Sequence, residues 1–252
     1  MDTSISLAHS IEEISANAWP ARIRQTMGCW QLRAFDGITK RANSVLPLYK
    51  MPDYEWWMDE VERFYQHQSL PIRFQISDVS PQPLDEMLAA WGYQIEGQSA
   101  VYTATCHEIL ACAHIDDVLQ VIVSSALTQE WMEAFIHIEE IPLHMKGFYQ
   151  EMFQTIGLQQ GFIQVRSQGE CVGIGTVVLE RGWAGLFNLA TAQHFRRQRV
   201  ATRAIHALAE WSLQHGAENV YLQVVSDNDK ALALYRKLGF QHLYRYHYRT
   251  KY

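Results

Sequence analysis

Two groups of residues in the second half of the chain could do chemistry. The first lies in HFRRQRVATRA, residues 194–204, where Arg196, Arg197, Gln198 and Arg199 precede Val200, Ala201 and Thr202. A helix N-terminus presents unpaired backbone N–H groups and the positive end of the helix dipole, and phosphates bind there readily. Arginines at the same turn add charge-assisted hydrogen bonds. On a chain of formal net charge −6, this local cluster reads as a site for a pyrophosphate-like anion. The second group is Asn228, Ala231 and Tyr235. Their spacing spans almost two α-helical turns, so an amide, a small residue and a phenol share one helix face. A linear ligand bearing amide groups could lie along that face, with the phenol at its reactive end. Taken singly, these are a solvated basic loop, a helix cap and a core aromatic. Together they describe one ligand.

The elements around them can be read from pattern. Residues 161–167, 171–180 and 183–191 are strand-like and joined by Gln168-Gly169 and Arg181-Gly182, an antiparallel meander. From about Val200 to His215 the apolar residues Val200, Ala204, Leu208 and Trp211 fall on one helical face, and Gly216 ends the run. A β-rich run (219–225), a capping cluster (226–229), a second helix to about 238 and a tail strand with tyrosines at 244, 246 and 248 complete the half. Segments 115–140 and 145–157 are predicted helical, broken near Pro142. The fold class is α/β (α+β): a mixed, mostly antiparallel twisted sheet flanked by helices.

The first half repeats part of this order. PIRFQIS (71–77) parallels NVYLQVV (219–225), and LAAWGYQ (88–94) parallels YRKLGFQ (235–241). Gln75 precedes Gly92 by 17 positions and Gln223 precedes Gly239 by 16, which points to a duplicated fold with a junction near 107–114. The copy lacks the chemistry. Where the second half has arginines, the first has KMPDYEWWMDE (50–60), acidic and interrupted by proline, which cannot cradle a phosphate.

Composition removes other classes. The acidic balance argues against a nucleic-acid binder working by bulk electrostatics. The N-terminal stretch has no basic-then-apolar pattern, and no apolar run approaches the roughly 20 residues of a membrane span. Cys29, Cys106, Cys112 and Cys171 are scattered, which suits reduced, mostly buried thiols in a cytoplasmic protein. HEILACAH (107–114) and HIEEIPLH (137–144) miss zinc-ligand spacing, so no metal is expected. Gly173 and Gly175 lack the third glycine of a dinucleotide fingerprint and read as strand interior.

The second half, roughly 115–252, resembles the GCN5-related N-acetyltransferases. Their pyrophosphate loop (Gln or Arg, two residues, Gly, one residue, Gly or Ala) matches Arg196 to Ala201, with Arg199 standing where the family has glycine. Their later Asn, Ala, Tyr and Gly-Phe match Asn228, Ala231, Tyr235 and Gly239-Phe240. The stretches 18–21, 29–48 and 73–77 resemble a tandem subgroup, implying a degenerate domain over 1–108 before a catalytic domain over 112–252. The resemblance implies acetyl-CoA as acetyl donor. Leu189, Ala190 and Thr191 would pair with its pantetheine arm, amides from Arg197 to Thr202 would hold its pyrophosphate, and Asn228 would bond the arm.

Tyr235 would protonate the departing thiolate. With phenol and thiol both near ~9–10, that transfer is expected to be nearly balanced. The acceptor would be a primary amine, on a small molecule or a protein. No nucleic acid or membrane is implied, and the alternating tail strand leaves a homodimer open. Glu130, Glu133, Glu139, Glu140 and Glu180 are all eligible as base, and none is singled out. The alternative reading is a non-catalytic acyl-CoA-binding or interaction module. Arg199 is expected to sit with a helical backbone and an outward side chain.

Overall fold

A computed structural model describes residues 3–112 and 118–252. The segment 113–117, with the end of the expected junction and the start of the expected helix 115–140, lies outside the described residues. The chain forms two compact units. One comprises residues up to Val101 with Val225–Asp227 and Leu243–Tyr252; the other comprises Tyr102–Val224 and Asn228–His242.

The first unit begins with helix α1 (Thr3–Ala18) and strands β1 (Ile23–Met27), β2 (Trp30–Ala34) and β3 (Val45–Leu46). Helix α2 (Trp57–His67), strand β4 (Ile72–Ser77) and helix α3 (Leu84–Ala90) follow, and then strand β5 (Gln94–Thr105), whose last residues belong to the second unit. Helix α2 buries Trp57, Val61, Phe64 and Tyr65, a single apolar stripe at helical spacing. That stripe meets Trp30, Leu32, Phe74, Leu84 and Leu88 in one core.

In the second unit, helix α4 (Cys106–Cys112) is followed by strand β6 (Gln120–Ser124) and helices α5 (Gln129–Ile138) and α6 (Lys146–Thr155). Strands β7 (Gln159–Ser167), β8 (Glu170–Glu180) and β9 (Trp183–Thr191) form the expected meander, β6 to β9 pairing antiparallel in sequence. Helix α7 (Val200–Gln214) then leads to β10 (Asn219–Val225), which pairs parallel to β9. Helix α8 (Asp229–Lys237) and strand β11 (Gln241–Lys251) close the chain.

The structure corrects one element. Residues 120–124, expected to be helical, form β6. Val121, Ile122 and Val123 are β-branched in a row, which favours a pleated strand over a helix. The helix starts at Gln129, where the Thr128 Oγ1 accepts a hydrogen bond from the Trp131 N–H at 3.1 Å.

Strand β11 pairs antiparallel to β4, from Tyr246↔Ser77 to Lys251↔Ile72. Tyr244, Tyr246 and Tyr248 point to one side and are buried, as their alternation implies. On the other side, Asp85 accepts from His247 Nε2 at 3.0 Å and from Arg249 Nε at 2.7 Å.

The repeated segments share a local build. Gly92 follows α3 with φ +86, its N–H bonded to the Ala89 carbonyl, and the Tyr93 N–H reaches the Leu88 carbonyl. Gly239 follows α8 with φ +88, bonded to Arg236, and Phe240 reaches Tyr235. Both are helix ends closed by a left-handed glycine.

Candidate functional site

The parallel pairing of β9 and β10 runs from Trp183/Asn219 to Leu186/Leu222. Strand β9 continues to Thr191 and β10 to Val225, so the pair parts towards its carboxyl ends. At the point of parting β9 carries a bulge. Ile174 faces Ala190 and Thr176 faces Phe187, so Asn188 and Leu189 together oppose Gly175. Asn188 has φ +52 and its Nδ2 donates to Thr176 Oγ1 at 2.9 Å. Thr176 Oγ1 in turn donates to the Phe187 carbonyl at 3.3 Å. A bulge bends its strand and leaves an extra residue unpaired. Ligands of open α/β sheets bind where parallel strands part at their carboxyl ends.

The loop from β9 to α7 leads from the same end. A 3-10 turn (Gln193–Phe195) precedes Arg196, Arg197, Gln198 and Arg199, all exposed. Arg197 has φ +64 and Arg199 has φ +60 with ψ +10; Gln198 between them is not left-handed. Left-handed residues in such a turn can direct N–H groups into a concavity that suits an anion. Arg199 is the residue before α7, and no side chain caps that helix. The amides of Val200, Ala201 and Thr202 therefore have no intrahelical acceptor.

The outward side chain expected of Arg199 is found; the helical backbone is not. Arg199 takes the left-handed conformation for which glycine is the easy choice. The next residue, Val200, lies in the core, where it is 2 % exposed. An L-residue in this conformation costs about 1 kcal/mol. Arg199→Gly should therefore raise stability by about 1 kcal/mol in denaturant unfolding, while weakening acetyl-CoA binding and flattening its salt dependence. A salt dependence equal to the wild type would make the side chain a bystander.

On α8, Asn228 serves as the cap: its Oδ1 accepts from the Ala231 N–H at 3.2 Å. That engages the oxygen, and the Nδ2 group carries two donors besides. Ala231 and Tyr235 are half-buried, on the face implied by their spacing. Burial pushes the Tyr235 phenol up to about 12, and its ring leans on Phe240 at 5.7 Å. A phenol raised in this way stays protonated at neutral pH. Leu189, Ala190 and Thr191 sit half-buried at the end of β9.

Counting back from the helix-ending glycines places Leu88 where the second unit has Tyr235, and Leu84 where it has Ala231. Both leucines are fully buried in the first unit's core. At these positions the first unit has leucines, not a phenol.

Two features escaped the sequence reading. Asn188 had no local signal, because a bulge is a property of register. Gly173 was visible in the Gly-Xaa-Gly pair, but its purpose is tertiary: a Cβ there would lie 2.4 Å from Val200 Cγ1. The glycine lets the first turn of α7 lie close against β8.

Among the carboxylates eligible as base, Glu130 pairs with Arg166 and Glu133 accepts from Gln129. Glu180 pairs with Arg181 at 3.4 Å. Burial pushes the Glu139 carboxyl up. The four cysteines are free; Cys29 and Cys112 are exposed rather than buried, and Cys106 is buried. Among the described residues no three His, Cys, Asp or Glu side chains could hold a metal ion together, and no helix is long and apolar enough to cross a membrane.

A parted parallel pair, a bulge beside it and an uncapped helix N-terminus are the frame of a GCN5-related N-acetyltransferase. Comparison with known proteins agrees. The uncharacterized N-acetyltransferase YobR of Bacillus subtilis (strain 168) is 34% identical over 242 residues, 96% of this chain and 97% of that protein. The GCN5-related N-acetyltransferase from Kribbella flavida superposes with a TM-score of 0.75 at 15% identity, covering 97% of this chain and 95% of that one. A tandem GNAT protein from the clavulanic acid biosynthesis pathway superposes with a TM-score of 0.63 at 15% identity, over 77% and 68% of the two chains. The family model described as "Probable histone acetyltransferase Rv0428c C-terminal" matches residues 6–249, and the chain belongs to that family of N-acetyltransferases.

Proposed function

We propose that the protein transfers an acetyl group from acetyl-CoA to a primary amine, on a small molecule or a protein, by direct attack within a ternary complex. The observation that carries this reading is the gap between β9 and β10, with the bulge at Asn188 on one side and the uncapped start of α7 at its end. The pyrophosphate rests on the concavity of Arg196, Arg197, Gln198 and Arg199 and on the amides of Val200, Ala201 and Thr202. The pantetheine arm runs along Leu189, Ala190 and Thr191, bonded by Asn228 and passing the small Ala231.

The amine nitrogen attacks the thioester carbonyl, the C–N bond forms and the C–S bond breaks. A backbone N–H near Leu189 or Ala190 meets the developing oxyanion. Tyr235 donates to the departing sulfur, and the surplus proton of the amine leaves through water. In this division of labour residues 112–252 are the catalytic domain and residues 1–108 a degenerate copy, in a cytoplasmic protein that needs no metal. The buried Leu84 and Leu88 in place of Ala231 and Tyr235 support that assignment of the first copy.

Calorimetry with acetyl-CoA, together with thiol release across a panel of primary amines, tests the proposal. Saturable binding and amine-dependent release with an acetylated product are expected. An absence of binding at millimolar acetyl-CoA would overturn it. Binding without release on any amine would leave the non-catalytic acyl-CoA-binding module in its place.

A further inference from the structure

Helix α8 carries Asn228 and Tyr235, and the chain on both sides of it belongs to the other unit. Val225–Asp227, just before the helix, and Leu243–Tyr252, after it, are part of the first unit, whereas Asn228–His242 is part of the second. The helix is an excursion of the chain between two anchors in the first unit.

Each anchor is a main-chain hydrogen bond. The Ser226 N–H donates to the Gln98 carbonyl at 3.0 Å, two residues before Asn228. The Asp78 N–H donates to the Arg245 carbonyl, also at 3.0 Å, next to the first pair of the β11 and β4 ladder. The repeat in the sequence interchanges the two bonds. Asp78 stands three residues after Gln75 and Ser226 three after Gln223, while Gln98 and Arg245 each stand six after the helix-ending glycines, Gly92 and Gly239.

The second anchor is reinforced by a side chain. Strand β4 ends at Ser77 and the chain turns there, the Ser80 N–H donating to the Ser77 carbonyl at 2.9 Å. The Asp78 carboxylate then supplies an acceptor beyond the strand's end: its Oδ2 takes the Arg245 N–H at 2.9 Å. Hydrogen bonds to a charged group are the stronger kind. Asp78, Gln98, Ser226 and Arg245 all line one open cavity of about 420 Å³. Hydrogen bonds, more than packed apolar side chains, therefore hold the two anchors.

We propose that Asp78 is a positioning residue for α8: by fixing Arg245 it holds the chain that leaves the helix, and with it the placing of the Tyr235 phenol. The Ser226 bond holds the Asn228 end. The effect on turnover rests on the acetyl-transfer reading; the anchoring does not. A small misplacement of a reacting group by a change far from the chemistry can cost up to about 10²-fold in rate.

Hydrogen exchange of the full chain, read by mass spectrometry, tests the anchoring without any ligand. In Asp78→Ala, residues 228–245 should exchange about tenfold faster, with α2 and α7 at wild-type rates. Asp78→Asn keeps an oxygen acceptor and should recover most of the loss. In thiol release, Asp78→Ala should lower kcat about three- to tenfold, while KM for acetyl-CoA stays near wild type because the Asn228 end remains anchored. Since Asp78 acts through Tyr235, Asp78→Ala/Tyr235→Phe should be no slower than Tyr235→Phe alone. Unchanged exchange at 228–245, or faster exchange spread evenly over the chain, overturns the anchoring. Additive losses in the double variant overturn the link to Tyr235. Faster exchange confined to 228–245 in a chain that transfers no acetyl group upholds the anchoring and marks the chemistry as the part that failed.

Discussion

Replacing Tyr235 by phenylalanine is expected to lower kcat by about 10²–10⁴-fold, the usual worth of a positioned general acid, while acetyl-CoA affinity stays near the wild-type value. The ring remains, half-buried against Phe240, so the helix and the bound arm lose only a hydroxyl. The pH profile separates the roles further. Burial raises the phenol's pKa to about 12, so its protonated form persists to higher pH than an exposed tyrosine and is lost only as pH rises through that value. The wild type should therefore show no Tyr235-dependent fall in kcat on the alkaline side below about pH 10. Activity should instead fall towards acid, as the acceptor amine is protonated. Initial rates of thiol release against pH, for wild type and Tyr235→Phe, decide the matter. Equal kcat values would remove Tyr235 from the chemistry; an alkaline limb near pH 9 that vanishes in the variant would contradict the elevated pKa.

Gly173→Ala should be a damaging small substitution outside the ligand's own contacts. The added Cβ would stand 2.4 Å from Val200 Cγ1, and Val200 is the first residue of α7. Val200 is buried and cannot swing away, so the first turn of the helix must move. Overpacking of this kind costs about 1–3 kcal/mol of stability. Because the displaced turn carries the proposed pyrophosphate amides, acetyl-CoA affinity should also fall by about tenfold, equivalent to ~1.4 kcal/mol. Val200→Ala in the same chain should restore most of both losses, a coupling that a double-mutant cycle reads directly. Gly157→Ala, whose Cβ would meet nothing within 4 Å, is the control and should be neutral. Loss of affinity without rescue by Val200→Ala would break the link between this glycine and the anion site.

Much of the second unit was legible without coordinates, for a local reason. Strands β7, β8 and β9 alternate or run apolar between turn residues, and α7 repeats its apolar residues every three to four positions. Each such signal lies within one element. Asn228, Ala231 and Tyr235 share a face because helical geometry makes it so. The same logic failed at β6, where a short β-branched run stood next to a true helix and was absorbed into it.

By itself, the sequence determined the order of elements from β7 to β11, the arginine cluster at the start of a helix, the aligned amide and phenol, and the matching local pattern at Gly92 and Gly239. Each rests on contacts between residues a few positions apart. Tertiary structure alone decided that β9 and β10 part, that Asn188 forms a bulge held by Thr176, that Gly173 seats Val200, and that β11 pairs with β4. It also set Arg199 left-handed and the Tyr235 phenol near 12. These depend on register, close approach and desolvation by segments far away in the chain, which no local spacing encodes.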